Sequence, residues 1–304
     1  MKCIVCAIAK QENAYLYEWA KYHIDLGFSV IHLFDNNEVD GEQVSDVFCG
    51  TELESRVVVH DVRGKRFVQK VVYQECYDKE DFDWCVFIDV DEFVTFTEGS
   101  GIKTIEAFLC DKNDWEAVHL NWMCFGDGGT VRYEKGLVRE RFKRAWEKNV
   151  CFSYLDKKEN SHIKSIIKKG LEIDWCKDSA VFSSNPHTPF GLVRVCNPAG
   201  RTLENSPFSD MDYSIAYIRH YITKSVEEYG VKVERCCADI LNKSFYSFPK
   251  FFRINVPTAK KLYWVHRHYP EVGLVGCVIE HLKYYSINHK LPTKFLFRSV
   301  RKKE

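Results

Sequence analysis

Two carboxylates separated by one residue, Asp89 and Asp91, close the uninterrupted apolar run Trp84-Cys85-Val86-Phe87-Ile88. Such a pair repels itself unless something positive intervenes, and a hard divalent cation that prefers oxygen ligands relieves the conflict. Mn²⁺ or Mg²⁺ held there would act as a Lewis acid on a departing diphosphate. The spacing alone selects nothing, because D-x-D also occurs at Asp81/Asp83 and Asp210/Asp212. About one such match is expected by chance in a chain of this composition. What distinguishes the second pair is the run before it, which reads as a strand buried on both faces of a parallel sheet. Ligands of open α/β sheets bind at the carboxyl ends of such strands. In extended backbone Asp89 and Asp91 would project to one side and converge. The competing reading is an acidic turn or helix cap after a strand. Asp81 and Asp83 precede the strand and fall at its other end.

The elements that must position this pair follow from the alternation of short apolar runs with helix-like stretches over the first ninety residues, the pattern of strand-helix-strand units. Strands are expected at Cys3 to Ala9, Val30 to Phe34, Val57 to His60 and Trp84 to Ile88. Tyr15, Trp19, Tyr22, His23 and Leu26 recur at three- and four-residue steps, with Gly27 as a helix stop. A second helix is expected from about Phe67 to Tyr77, turning Val68, Val71, Val72 and Cys76 inward. After Asp91 the strands become shorter and more polar, and from about Val231 the chain reads mostly helical. This divides the chain into an expected catalytic domain, 1–238, and a helical extension, 239–304, with a soft boundary near Asp239.

The chain has 304 residues, 45% of them hydrophobic, which suffices for one main core with an addition. Lysine plus arginine equals aspartate plus glutamate at 43 each, so the basic excess of a non-specific nucleic-acid binder is absent. The N-terminal apolar run is too short for a signal peptide, and no later one approaches the roughly 20 residues of a membrane span. A cytoplasmic location is expected. Thirteen cysteines, an odd number scattered through apolar segments, suit reduced buried thiols rather than a disulfide framework. Cys3 and Cys6 would point to opposite faces of a strand and so could not clamp one zinc ion. The last fifteen residues interleave Lys290, Lys294, Arg298, Arg301, Lys302 and Lys303 with Leu291, Phe295, Leu296, Phe297 and Val300. They read either as a basic amphipathic helix in peripheral contact with the inner membrane face or as a solvated tail.

Several further pieces occur in a definite order: Ala9-Lys10-Gln11-Glu12-Asn13, Glu18-Trp19 with His23, Leu33-Phe34-Asp35-Asn36, and Asp89-Val90-Asp91-Glu92-Phe93. Asn121-Trp122, Phe125-Gly126-Asp127-Gly128-Gly129, Glu140-Arg141-Phe142 and His220-Tyr221 with Thr223-Lys224-Ser225 follow. On these the chain, over about residues 1 to 235, resembles the GT-A glycosyltransferases, specifically the family-2-like bacterial group similar to glycosyltransferase family 92. The resemblance implies a GT-A, Rossmann-like α/β fold with a mostly parallel sheet flanked by helices. It also implies a nucleotide-sugar donor of the UDP-sugar kind and a glycan or lipid-linked glycan acceptor, with inverting transfer in surface polysaccharide assembly. Lys10, Glu12 and Asp35 become donor-site candidates, His220 a third metal ligand beside Asp89 and Asp91, and Lys224 a cation for the diphosphate. Asp91 is implied to bind metal directly, and Asp89 to serve the ribose or a metal-bound water. The pattern departs from the family's at Arg219, where asparagine is usual, and at Cys236, where glycine is common.

Read locally, Lys10 and Glu12 are equally a loop charge and a helix-start carboxylate, and Asp35-Asn36-Asn37 equally a turn. Arg63 and Lys65 would either meet phosphate or stay solvated. An inverting transfer needs a general base, for which Asp127 and Glu140 are the candidates. Asp127 reads otherwise as a turn residue, and Glu140 as a carboxylate bridged to its neighbouring arginines. Trp122 and Phe125 would supply an aromatic platform for a sugar ring. His162-Ile163-Lys164 and Asn185-Pro186-His187 read as acceptor-side or donor-side loops. Two rivals share the pattern: a sugar-phosphate nucleotidyltransferase, which should carry a glycine-rich phosphate loop where Ala9 to Asn13 has none, and an inactive transferase-fold protein that binds carbohydrate.

Overall fold

A computed structural model describes residues 1–146, 159–179, 183–235 and 246–288. The expected boundary at Asp239, the departure at Cys236 and the basic residues from Lys290 onward lie outside the described residues. The chain forms two compact units, one of Met1–Met123 with Asn160–His220 and one of Cys124–Glu159 with Tyr221–Glu304.

The first unit is built on strands β1 (Cys3–Ala9), β2 (Val30–Asp35), β3 (Val57–Asp61), β4 (Trp84–Phe87), β5 (Glu92–Phe96), β6 (Ala117–Cys124), β7 (Ile163–Lys168), β8 (Val195–Cys196), β9 (Thr202–Leu203) and β10 (Ala216–His220). Its helices are α1 (Asn13–Asp25), α2 (Val44–Phe48), α3 (Gln69–Lys79) and α4 (Ile105–Leu109). The sheet order is β3-β2-β1-β4-β7-β6-β10-β5, with β8 beside β6 and β9 beside β8. β3, β2, β1 and β4 are parallel, β7 joins antiparallel to β4 and β6, and β5 and β10 run antiparallel. This is the α/β, GT-A-like architecture expected: a sheet whose amino-terminal half is a parallel Rossmann-like block with helices on its faces. Of His162 to Lys164, expected in a loop, Ile163 and Lys164 instead open β7, because Ile163, Ile166 and Ile167 are apolar enough to enter the sheet, and His162 makes an isolated bridge to Phe208.

α1 buries Leu16, Trp19, Ala20 and His23, one face at helical spacing. Gly27, at φ +99°, ends it: the Gly27 N–H bonds to the Ile24 carbonyl and the Phe28 N–H to the His23 carbonyl, a Schellman stop. α3 starts two residues later than expected, and its inward face is Val72, Tyr73, Cys76 and Tyr77. Val71 is 51% exposed, so the expected inward turn of Val71 is corrected: on a helix opening at Gln69 it falls beside the buried face rather than on it. Under α3 lie Ile4, Cys6 and Ile8 of β1, Phe34 of β2, and Cys85 and Phe87 of β4. The ten described cysteines are free thiols.

The second unit contains α5 (Val138–Arg141), α6 (Val226–Arg235), α7 (Phe248–Ile254), α8 (Ala259–His268) and α9 (Leu274–Asn288). Its core joins Val226 and Tyr229 of α6 to Phe248, Phe251 and Phe252 of α7, Trp264 and Val265 of α8, and Cys277 of α9. Among the described residues no helix is long and apolar enough to cross a membrane.

Two histidines of the first unit, the buried His119 and the half-buried His187, make its stability sensitive to acid. Burial pushes the His119 imidazole from 6.5 down to about 3, and burial, reinforced by the Lys164 charge, holds His187 well below its ordinary value. Thr188 gives its hydroxyl proton to Asn205 at 2.6 Å, so its oxygen accepts from His119 Nε2, 3.4 Å away, which places the single ring proton on Nε2. Both imidazoles are therefore neutral when folded and take up protons on unfolding. Their stabilising effect is complete above about pH 6.5 and is lost as pH falls below it. Urea denaturation from about pH 7 to 5 should show falling stability. His119→Gln should reduce that slope by up to about 1.4 kcal/mol per pH unit, and an unchanged slope would contradict a neutral buried His119.

Candidate metal and donor site

The acidic residues are placed by backbone ties before any side chain meets another. The Trp19 indole of α1 donates to the Glu92 carbonyl at 2.7 Å. The Tyr22 hydroxyl donates to the Val94 carbonyl at 2.8 Å. His23 gives its Nδ1 proton to the Trp19 carbonyl at 2.8 Å and so accepts at Nε2 from the Val94 N–H at 3.3 Å. Helix α1 is thereby fastened to the first half of β5. The residues between β4 and β5 form a tight turn, closed by the Glu92 N–H on the Asp89 carbonyl at 3.0 Å. Asp89 and Asp91 thus lie in a turn and not in extended backbone, which corrects the expected alternation. Their side chains are engaged by different partners.

Asp89 is held on both oxygens: Lys164 Nζ donates to Oδ2 at 2.8 Å, and Gln69 Nε2, at the start of α3, donates to Oδ1 at 2.8 Å. Its own N–H donates to Glu92 Oε2 at 2.8 Å. Asp91 Oδ1 lies 3.6 Å from His220 Nε2. Glu92 pairs in register with His220 across β5 and β10, and its Oε1 is 4.0 Å from His220 Nδ1. Glu92 and Lys164 are wholly buried, with 3.4 Å between Lys164 Nζ and Glu92 Oε2. Burial alone would lower the Lys164 pKa, but the Asp89 and Glu92 carboxylates outweigh it and raise it, so Lys164 stays charged. Burial, with the nearby Asp89 and Asp91 charges, drives the Glu92 carboxyl well above its ordinary range despite Lys164.

Beside the carboxylates stands an aromatic wall. The Trp122 ring lies 4.2 Å from the His220 ring, 4.6 Å from His162, nearly parallel to it, and 5.2 Å from His187. His187 Nδ1 donates to the Ile163 carbonyl at 2.9 Å, leaving Nε2 as the acceptor. Two buried polar atoms here have no hydrogen-bond partner in the structure, Glu92 Oε1 and Trp122 Nε1. An acceptor and a donor left over in one place are what a site awaiting a ligand presents. Asp91 Oδ1 and His220 Nε2, an oxygen and an imidazole nitrogen, suit a divalent cation such as Mn²⁺, while Glu92 faces the opposite ring nitrogen of His220.

The structure thus brings together Asp89, Asp91, His220 and Trp122 from the sequence candidates and adds Glu92, Lys164 and Gln69. Lys164 had a legible signal: a lone lysine among Ile163, Ile166 and Ile167 must meet a carboxylate if the strand is buried. The remaining donor candidates of this unit have local partners. Asp35 accepts from the Asn37 and Val44 N–H groups at 3.0 and 2.9 Å, Lys10 Nζ is 2.8 Å from Glu38, and Glu12 is buried at the start of α1. Arg63 bridges to Asp61, whose carboxyl it pulls down to about 2. Of the other D-x-D pairs, Asp81 and Asp83 tie Lys2 to the start of β4, and Asp212 caps its own loop by accepting from Asn197 and Ser214.

The remaining candidates belong to the second unit. Asp127 Oδ2 is 2.5 Å from Lys261 Nζ, both buried, and Oδ1 accepts from the Gly129 N–H at 2.9 Å. Glu140 is exposed in α5, and its neighbour Arg141 pairs instead with Glu228 through two bonds of 3.0 and 2.6 Å. Phe125 is buried and stacks on Tyr221, rings 4.9 Å apart. Lys224 is buried with left-handed backbone, φ +50°, in the bend before α6.

No protein-family profile matches the chain. No curated protein matches it either. Among solved structures, residues 1–349 of S. aureus TarS are 12% identical, with 90% of this chain and 74% of that chain covered at TM-score 0.38. TarS 1–349 in complex with UDP-GlcNAc is 12% identical over 94% and 81% at TM-score 0.39. The mannosyltransferase PcManGT from Pyrobaculum calidifontis, in complex with GDP-Man and Mn²⁺, is 10% identical over 96% and 76% at TM-score 0.39. At scores of this size the likenesses carry no weight for the chemistry.

The buried charges give a direct test. Lys164→Met leaves Asp89 and Glu92 without their cation and should lower stability by about 3–5 kcal/mol in urea denaturation. Adding Glu92→Gln to it should recover a substantial part. A loss under about 1 kcal/mol, the scale of an exposed pair, would show that Lys164 does not hold these carboxylates.

Proposed function

We propose that the chain is a metal-dependent glycosyltransferase that moves a sugar from a nucleotide-sugar donor, UDP-linked, to a glycan or lipid-linked glycan acceptor. The observation that carries this reading is the convergence of Asp91, Glu92 and His220 beside the Trp122 wall, where the β4 to β5 turn leaves the parallel half of the sheet. Asp91 and His220 hold the metal, and Glu92 backs them through its unpartnered Oε1. A Mn²⁺ or Mg²⁺ ion bound there supplies neutralisation of the negative charge on the departing diphosphate.

The protein's own groups divide the remaining work. Asp89 is tethered by Lys164 and Gln69 and has little freedom to enter a metal's inner shell, so its part is positional or directed at the ribose. Trp122, buried among the rings of His162, His187 and His220, holds the His220 imidazole in place beside Asp91. Lys164 keeps Asp89 and Glu92 from expelling one another before the donor arrives. Inverting chemistry and a role in surface polysaccharide assembly complete the proposal and rest on the sequence resemblance to the family-92-like group.

A thermal-shift panel of nucleotides and nucleotide sugars, with and without Mn²⁺, tests this. A matching donor at about 100 times its dissociation constant should raise Tm by roughly 5 °C or more, and only with the metal. Asp91→Asn should abolish the metal-dependent shift, whereas Asp89→Asn should weaken it less. Equal losses would refute the division between the two aspartates. Absence of any metal-dependent shift would refute the transferase reading, and glycan binding without metal would favour an inactive carbohydrate-binding protein instead.

A further inference from the structure

We propose that His32, His60 and Glu80 form a second metal site, for a zinc-class transition-metal ion, on the α3-covered face of the sheet. His32 sits mid-strand in β2, three residues before its carboxyl end, and His60 in the edge strand β3. The register pairs His32 with Val58 and Phe34 with His60, so the two histidines take diagonal positions on one face of the sheet. Glu80 follows the last residue of α3, whose other inward residues cover that face.

The three side chains converge, with His32 between the other two. Its Nδ1 lies 3.1 Å from His60 Nε2 and its opposite ring nitrogen, Nε2, 3.5 Å from Glu80 Oε2, and an ion would take one of these nitrogens. One ligand atom from each of the three residues can be chosen so that all lie within 4.8 Å of one another. Tetrahedral zinc, with bonds of about 2.0–2.1 Å, spaces its ligand atoms roughly 3.3–3.5 Å apart, so small side-chain rotations suffice. The His60 ring is already oriented by stacking on Phe34, centroids 4.5 Å apart. Two imidazoles and one carboxylate form a donor set that zinc favours over magnesium or calcium. This separates the site chemically from the oxygen-rich acidic turn. His32 is buried and the other two are half-buried, leaving room for solvent as a fourth ligand. A bound ion would pin the edge strand β3 and the end of α3 to β2.

The nearby thiols are the competing ligands. Cys76, four residues before Glu80 on α3, lies in the same buried cluster as the free thiols of Cys6 and Cys85. The test therefore includes Cys76→Ser, and it uses the full chain carrying Asp91→Asn so that the acidic turn does not compete. After removal of metal with chelator, Zn²⁺ should bind at one ion per chain by metal analysis after dialysis, and Tm should rise by about 5 °C or more at saturation. Co²⁺ should give the visible bands of a tetrahedral ion. His60→Ala and Glu80→Gln should each weaken Zn²⁺ binding by at least about tenfold, and Cys76→Ser should leave it unchanged. Absence of a Zn²⁺-dependent shift would overturn the proposal. So would a shift that survives both His60→Ala and Glu80→Gln, or one lost in Cys76→Ser alone. If one of the first two variants does not fold by circular dichroism, the other decides.

Discussion

A wholly buried ammonium group, that of Lys164, sets the terms for everything at the acidic turn. Three acidic residues within four positions repel one another, and Glu92 is as buried as the lysine. Removing these charges from water is tolerable only because they meet at bonding distance and because backbone groups take up much of what is left. The β4 to β7 pairing that brings Lys164 to Asp89 is therefore as much an electrostatic requirement as a hydrophobic one. Lys164 arrives from a strand some seventy residues downstream in sequence, so the acidic turn cannot be completed by the amino-terminal half alone.

The parallel half of the sheet was legible because its strands are apolar on both faces and its helices carry three- and four-residue periodicity with a glycine stop. These signals are local, and they survive folding: β1 through β4 and α1 fall within a residue or two of their expected bounds. The second half was harder to read. Ile163 to Lys168 mixes three isoleucines with two lysines and a serine, and the ion pair with Asp89 is what lets Lys164 be buried in a central strand. A lysine among isoleucines calls for a carboxylate, but nothing within that segment says that it lies 75 positions away.

The candidate site shows the same division. The acidic pair could be named from residue type and spacing and His220 from the family resemblance, yet their division of labour could not be read from the residues. The turn that separates Asp89 from Asp91 is made by backbone hydrogen bonds, to which a side-chain pattern is blind. Glu92 was visible as a letter, but its burial depends on the antiparallel pairing with β10. Asp35 and Asp127 illustrate the converse: each looks reactive in the sequence, and each is taken up by backbone amides or a buried lysine.

The ties from α1 to β5 carry a consequence for which residues the chain can exchange. Trp19, Tyr22 and His23 grip carbonyl and amide groups of Glu92 and Val94 rather than their side chains. Backbone groups are the same whatever residue bears them, so these ties are indifferent to the Val94 side chain, whereas Phe93 and Thr95 also meet Tyr22 through their side chains. The strand, by contrast, depends on particular rings in the helix. Tolerance to change is therefore lopsided: Val94 can be exchanged within the strand, while the rings of the more distant helix that hold its backbone cannot.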